Sequence, residues 1–110
     1  DHKGRTILIS WLPGWKYAGY KKKDIGCMSV PREIKLIDGK IYGYPVEEVQ
    51  HLLTDSDSSV IRKKNGFKIK RTHRKSVIYE GEIKDLKIIS DGYILEVFVN
   101  GGEEIYSVLL

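Results

Sequence analysis

The chain has 110 residues, 41% of them hydrophobic, and a formal net charge of +4, which suits one domain with a real core. No apolar run approaches the ~18 residues of a membrane span, and Asp1-His2-Lys3 opens no signal-peptide pattern. A single cysteine, Cys27, excludes an internal disulfide and a cysteine zinc site, and His2, His51 and His73 are not at metal-ligand spacing.

Isoleucine, valine and tyrosine are frequent and alanine is almost absent, which favours strands over helices. Arg5 to Trp11 (RTILISW) reads as a strand bounded by Gly4 and Pro13, with Ile7, Ile9 and Trp11 alternating into a core. Residues 13–26, rich in glycine and aromatics and carrying Lys21-Lys22-Lys23, read as a loop. Met28 and Ser29 form a short strand before Pro31. Glu33 to Ile37 and Lys40 to Tyr44 then pair as a hairpin around Asp38-Gly39, a strong short-range turn signal.

Pro45 to Leu53 changes period. Val46, Val49, Leu52 and Leu53 recur at helical spacing after a proline suited to a helix start, which predicts a helical connector. The polar run Thr54 to Ser59 is the predicted boundary. Beyond it, strands are predicted at Val60–Lys63, Phe67–Thr72, Ser76–Tyr79, Glu82–Ser90, Tyr93–Val99 and Glu104–Leu110. Asn65-Gly66, Gly81, Asp91-Gly92 and Asn100-Gly101-Gly102 turn the chain between them. Short strands at this spacing indicate a sandwich or barrel. Both faces of Tyr93–Val99 are largely apolar, so this strand is expected at the centre of the fold.

The charge is unevenly spread, for eight of the fourteen residues from Arg62 to Lys75 are basic and none is acidic. The lysines of Phe67-Lys68-Ile69-Lys70 alternate with apolar residues, as on a half-buried strand with a solvated face. A small nucleic-acid-binding barrel is the competing reading, but it needs aromatics interleaved with the cations, and Phe67 alone supplies them. Glu47-Glu48 and Glu103-Glu104 read as solvated surface acids, since neighbours on a strand face opposite ways. Cys27 beside Met28 reads as a small buried hydrophobe with no neighbouring histidine to activate it.

Three segments together resemble glycoside hydrolase family 32, the family of invertases, fructanases and sucrose-6-phosphate hydrolases. The first is Gly4-Arg5-Thr6-Ile7-Leu8-Ile9-Ser10-Trp11. The second runs from Gly26 through Val30-Pro31-Arg32-Glu33-Ile34, Asp38-Gly39-Lys40-Ile41-Tyr42 and Pro45-Val46-Glu47-Glu48-Val49. The third is Ser90-Asp91-Gly92-Tyr93-Ile94-Leu95-Glu96-Val97-Phe98-Val99-Asn100-Gly101-Gly102-Glu103. The resemblance implies an all-β fold: residues 1–44 as strands of the last propeller blade, 45–59 as connector, and 60–110 as the C-terminal antiparallel β-sandwich, reduced in strand number. Within it, Arg32-Glu33 is expected to form a structural ion pair that locks the blade. Trp15, in its Gly- and Tyr-rich loop, reads either as a ring that stacks on a sugar at the pocket rim or as an anchor of the loop.

The family hydrolyses fructosyl bonds with retention through a carboxylate pair, carried by Asn-Asp-Pro, Glu-Cys and Arg-Asp-Pro motifs. Here Asn65 and Asn100 precede glycine, Gly26 precedes Cys27, and Arg-Asp-Pro does not occur, so no catalytic position carries over. The reading is a non-catalytic C-terminal part of a cytoplasmic bacterial β-fructofuranosidase. Its parent would act on sucrose, sucrose 6-phosphate or fructan, with no cofactor, metal, nucleic acid or membrane. The alternative is a stand-alone carbohydrate-binding sandwich. The N-terminal strands, orphaned from the blade, are expected to pair with a second copy, because Ile7-Leu8-Ile9 lacks charges to blunt an edge.

Overall fold

The computed structural model describes residues 1–12, 27–72, 74–92 and 94–110. The chain is all-β, with eleven strands in chain order among the described residues: β1 Ile7–Leu8, β2 Trp11–Leu12, β3 Cys27–Met28, β4 Arg32–Ile37, β5 Lys40–Pro45, β6 Val60–Lys63, β7 Gly66–Ile69, β8 Val77–Glu80, β9 Leu86–Asp91, β10 Ile94–Val99 and β11 Glu104–Leu109. They form three antiparallel three-stranded sheets, β1-β4-β5, β6-β7-β8 and β9-β10-β11, together with the β2-β3 pair.

The expected hairpin is present, with Ile37 opposite Lys40 and both Asp38 and Gly39 at positive φ, the conformation a two-residue turn needs to match strand twist. The predicted helical connector is a 3-10 helix over Glu47–Leu52 with no buried residue. The polar run after it is anchored at its start, because Thr54 and Ile88 exchange backbone hydrogen bonds at 2.8 Å in both directions.

Strand β10 is the centre, as its two apolar faces predict. Leu95, Val97 and Val99 face β6-β7-β8 and are fully buried with Phe67, Ile69 and Ile88, while Leu86 and Val108 complete the cluster. Full burial of each such side chain is worth ~1.5–3 kcal/mol. Phe67 stacks on Tyr79 at 5.1 Å and meets Tyr106 edge-on at 5.5 Å, closing this layer. The opposite face of β10 presents Glu96 and Phe98, and sheet β1-β4-β5 lies there. Phe98 meets Tyr44 at 5.9 Å, and Gly43 donates to the carbonyl of Gly102 at 3.0 Å. The result is three layers, with β9-β10-β11 in the middle.

Two expectations fail at the N-terminus. Arg5–Trp11 is not one strand: Ile7 and Leu8 pair with β4, whereas Trp11 and Leu12 pair with β3. The alternation of Ile7, Ile9 and Trp11 therefore does not define one buried face. Trp11 is 52% exposed rather than in the core, and Ile7 and Ile9 are exposed too.

Gly102 shows how closely the layers approach. Its φ is +96°, and a β-carbon there would stand 2.0 Å from the carbonyl oxygen of Gly43, where backbone must move to admit it. Gly92 also has positive φ, +62°, but faces open space. Urea unfolding is expected to show Gly102→Ala losing at least ~3 kcal/mol, the upper end for a single substitution, and Gly92→Ala ~1 kcal/mol, the cost of the left-handed backbone alone. Equal losses at the two positions would show that the contact between layers is slack.

Candidate functional site

The joint between the outer sheet and the middle sheet is built on one buried ion pair. Strand β4 begins at Arg32, whose side chain turns toward β10, and Arg32 Nη2 donates to Glu96 Oε1 at 2.6 Å. The same nitrogen donates to Ser107 Oγ on β11 at 2.5 Å, and Ser107 Oγ donates to Glu96 Oε1 at 3.2 Å. The second oxygen of Glu96 accepts the Val30 amide at 2.9 Å. The Arg32 guanidinium also lies 5.6 Å from the centroid of the Phe98 ring. Arg32 is 7% and Glu96 3% exposed, so desolvation makes loss of either partner expensive. Arg32 Nε is buried with no acceptor among the described residues, the one unmet demand of the joint. Both oxygens of the buried Glu96 are engaged in holding the sheets together, and the cluster acts as a fastener.

This corrects the expected Arg32–Glu33 pair. Adjacent residues on a strand point to opposite sides. Arg32 turns inward to Glu96, whereas Glu33 faces the other way, 3.9 Å from Lys35 Nζ. Sequence reading missed Glu96 because it sits inside an apolar run; a lone charge in the central strand was the available signal. Trp15 lies outside the described residues. Cys27 lies in β3.

A second polar joint ties the N-terminus to the connector. Arg5 bridges the carboxylates of Asp1 and Glu48, each at 2.8 Å. The Arg5 hydrogen bond holds the Glu48 carboxyl down at about 2. Glu103 pairs with Lys40 at 2.9 Å, and Asp55 with Lys87. Two cations of the basic block bond to backbone: Arg62 donates to the Asp55 carbonyl and Arg71 Nε to the Leu109 carbonyl. Among the described residues, no group of three or more histidine, cysteine, aspartate or glutamate side chains is placed to hold a metal ion.

Two surface features of the N-terminal strands and hairpin bear on function. One is apolar: Ile7, Leu8, Ile9, Trp11, Met28, Leu36, Ile37 and Ile41 are all exposed on the N-terminal strands, Leu36 at 73%. The other is a cleft of about 270 Å³ on the outward face of the hairpin, where Glu33, Lys35, Tyr42 and Tyr44 meet Gln50 and Asp85.

Comparison with known proteins places the chain. It is 43% identical over 51 residues to a sucrose-6-phosphate hydrolase of Zymomonas mobilis, covering 44% of this chain and 10% of that one. A sucrose-6-phosphate hydrolase of Streptococcus mutans is 30% identical over 81 residues, 70% of this chain and 17% of that relative. All of this chain superposes on 26% of a glycoside hydrolase family 32 structure from Bifidobacterium adolescentis, with TM-score 0.68 and 18% identity. This chain is a family 32 homologue. It spans between 10% and 17% of the length of these curated relatives. No family model matches it.

The Arg5–Glu48 joint gives this family 32 segment a defined acid response. Glu48 is held below its ordinary value of 4.5, at about 2. Its contribution to stability is therefore complete above 4.5 and is lost as pH falls from there through about 2. Carboxyl NMR titration should place Glu48 near 2, and Glu48→Gln should flatten the acid limb of the stability curve between 4.5 and 2. A Glu48 midpoint near 4.5 would show that the bridge does not form in solution.

Proposed function

We propose that this chain is a non-catalytic, structural part of a β-fructofuranosidase that hydrolyses sucrose or sucrose 6-phosphate with retention, C-terminal in a cytoplasmic bacterial parent. The observation that carries this reading is the kinship with sucrose-6-phosphate hydrolases over 70% of the chain, joined to the absence of Asn-Asp-Pro, Glu-Cys and Arg-Asp-Pro from its sequence. In this reading residues 1–44 supply the last propeller-blade strands, 45–59 the connector and 60–110 the sandwich. The Arg32–Glu96 fastener supports it, since it joins the first of these parts to the last. So does the exposed apolar surface of the N-terminal strands, which in the parent meets the neighbouring blade strands.

In the isolated chain that surface is left to a second copy, and we propose a homodimer through the N-terminal strands. Exposed strand edges template such pairing.

One preparation of the purified chain tests both statements. No glucose should be released from sucrose or sucrose 6-phosphate, and turnover proportional to protein concentration would refute the non-catalytic role. Sedimentation should give a dimer that dissociates when Ile7 and Ile9 are changed to lysine. A monomer at high concentration would refute the pairing while leaving the assignment within the parent intact.

A further inference from the structure

The cleft on the outward face of the hairpin has a chemistry that the structural role does not use. Residues 33 and 35 on β4 and 42 and 44 on β5 share that face, with Glu33 opposite Tyr44 and Lys35 opposite Tyr42. The 3-10 helix brings Gln50 to one side and the turn before β9 brings Asp85 to the other. The supports are fixed. Gln50 Nε2 donates to the Pro45 carbonyl at 3.0 Å, and among the described residues its side-chain oxygen accepts no hydrogen bond. Asn100 accepts the amides of Lys84 and Asp85 and donates its own amide to the Asp85 carbonyl at 2.7 Å, so the Asp85 backbone is clamped. Tyr44 is held edge-on against Phe98.

Glu33 and Lys35 form a long ion pair at 3.9 Å, and the polar groups that line the space are otherwise unspent. Among the described residues no hydrogen bond reaches the hydroxyls of Tyr42 and Tyr44 or the carboxylates of Glu33 and Asp85. Hydroxyls that both donate and accept, carboxylates and an amide oxygen that accept, and one ammonium that donates match the alternating demands of a polyol. Two tyrosine rings offer apolar faces with a polar rim. The volume, about 270 Å³, falls just short of the ~300–1,000 Å³ of drug-sized pockets and suits one ring rather than a long chain. Among the lining side chains two carboxylates stand against one lysine, and Lys87, whose field also reaches Asp85 and Tyr44, is committed to Asp55, so the lining is net negative and disfavours a phosphorylated ligand.

We propose that this cleft is a non-catalytic binding site for one ring of an uncharged saccharide, with Tyr42 as the stacking platform and Glu33, Gln50 and Asp85 as acceptors for its hydroxyls. The site discriminates against the phosphorylated sugar, and so would present a neutral carbohydrate to the protein independently of the reaction centre. It goes beyond the structural role and stands whether or not the parent hydrolyses sucrose.

The test is an amide-resolved NMR titration of the 110-residue chain with sucrose, and separately with sucrose 6-phosphate. Sucrose should shift the amides of Tyr42, Gln50, Asp85 and Gly101 with a Kd of order 1 mM, an affinity within reach of a single small ring. Sucrose 6-phosphate should bind at least ~10-fold more weakly, or ~1.4 kcal/mol. Tyr42→Ala should weaken sucrose at least ~10-fold. Gln50→Ala, on the exposed connector, should weaken it about threefold without touching the core, and serves where Tyr42→Ala perturbs the fold. Asp85→Asn should narrow the gap between the two sugars. Shifts elsewhere, no shifts, equal binding of both sugars, or affinity unchanged by Gln50→Ala would each overturn the proposal.

Discussion

A charged pair buried between two sheets is the constraint on which this structure turns. Arg32 and Glu96 stand 64 residues apart in sequence and are brought within 2.6 Å. Burying two charges is costly unless their geometry and hydrogen bonds are nearly complete, so the pair dictates how its surroundings pack. Ser107 must be small and polar to share the guanidinium. Residue 30 must present a free amide, which keeps the chain extended before Pro31. Residue 102 must be glycine, because the sheets that carry the pair approach until a β-carbon there would meet the backbone of Gly43.

The middle sheet consequently has two different faces. Toward β6-β7-β8 its buried cluster is apolar and closed by rings. Toward β4 and β5 it carries Glu96 and Phe98, one a charge and one a ring that meets the partner's guanidinium. The apolar face provides most of the burial; the mixed face supplies orientation, since a hydrogen-bonded ion pair tolerates less sliding than methyl groups do. A layer held at one angle against its neighbour is consistent with the structural role proposed above. The chain also presents an exposed apolar surface on Ile7, Leu8, Ile9, Trp11 and Leu36.

Much of this was legible in the residues. Asp38-Gly39 located the hairpin because few residue pairs accept positive φ twice. The apolar character of both faces of Tyr93–Val99 identified the central strand, and the helical period after Pro45 found the connector. What escaped depended on contacts distant in sequence. Arg32 was paired with its chain neighbour, although a strand sends neighbours apart, and Glu96 was absorbed into an apolar face because hydrophobic patterning tolerates one charge. Trp11 was read into a core by alternation over a segment that in fact serves two different strand partners. The cleft was invisible for a similar reason: Glu33, Tyr42, Gln50 and Asp85 come from four separate elements and share no motif.

The most direct measurement of the central claim is a double-mutant cycle in urea on Arg32→Met, Glu96→Gln and the pair together. If the buried ion pair fastens the outer sheet to the middle one, each single change costs ~3–5 kcal/mol, the penalty for stranding one buried charge or its partner. The double variant then costs about as much as one single, with a coupling of at least ~2 kcal/mol. Single losses below ~1 kcal/mol that simply add, as for exposed pairs, would contradict the account and place the joint elsewhere.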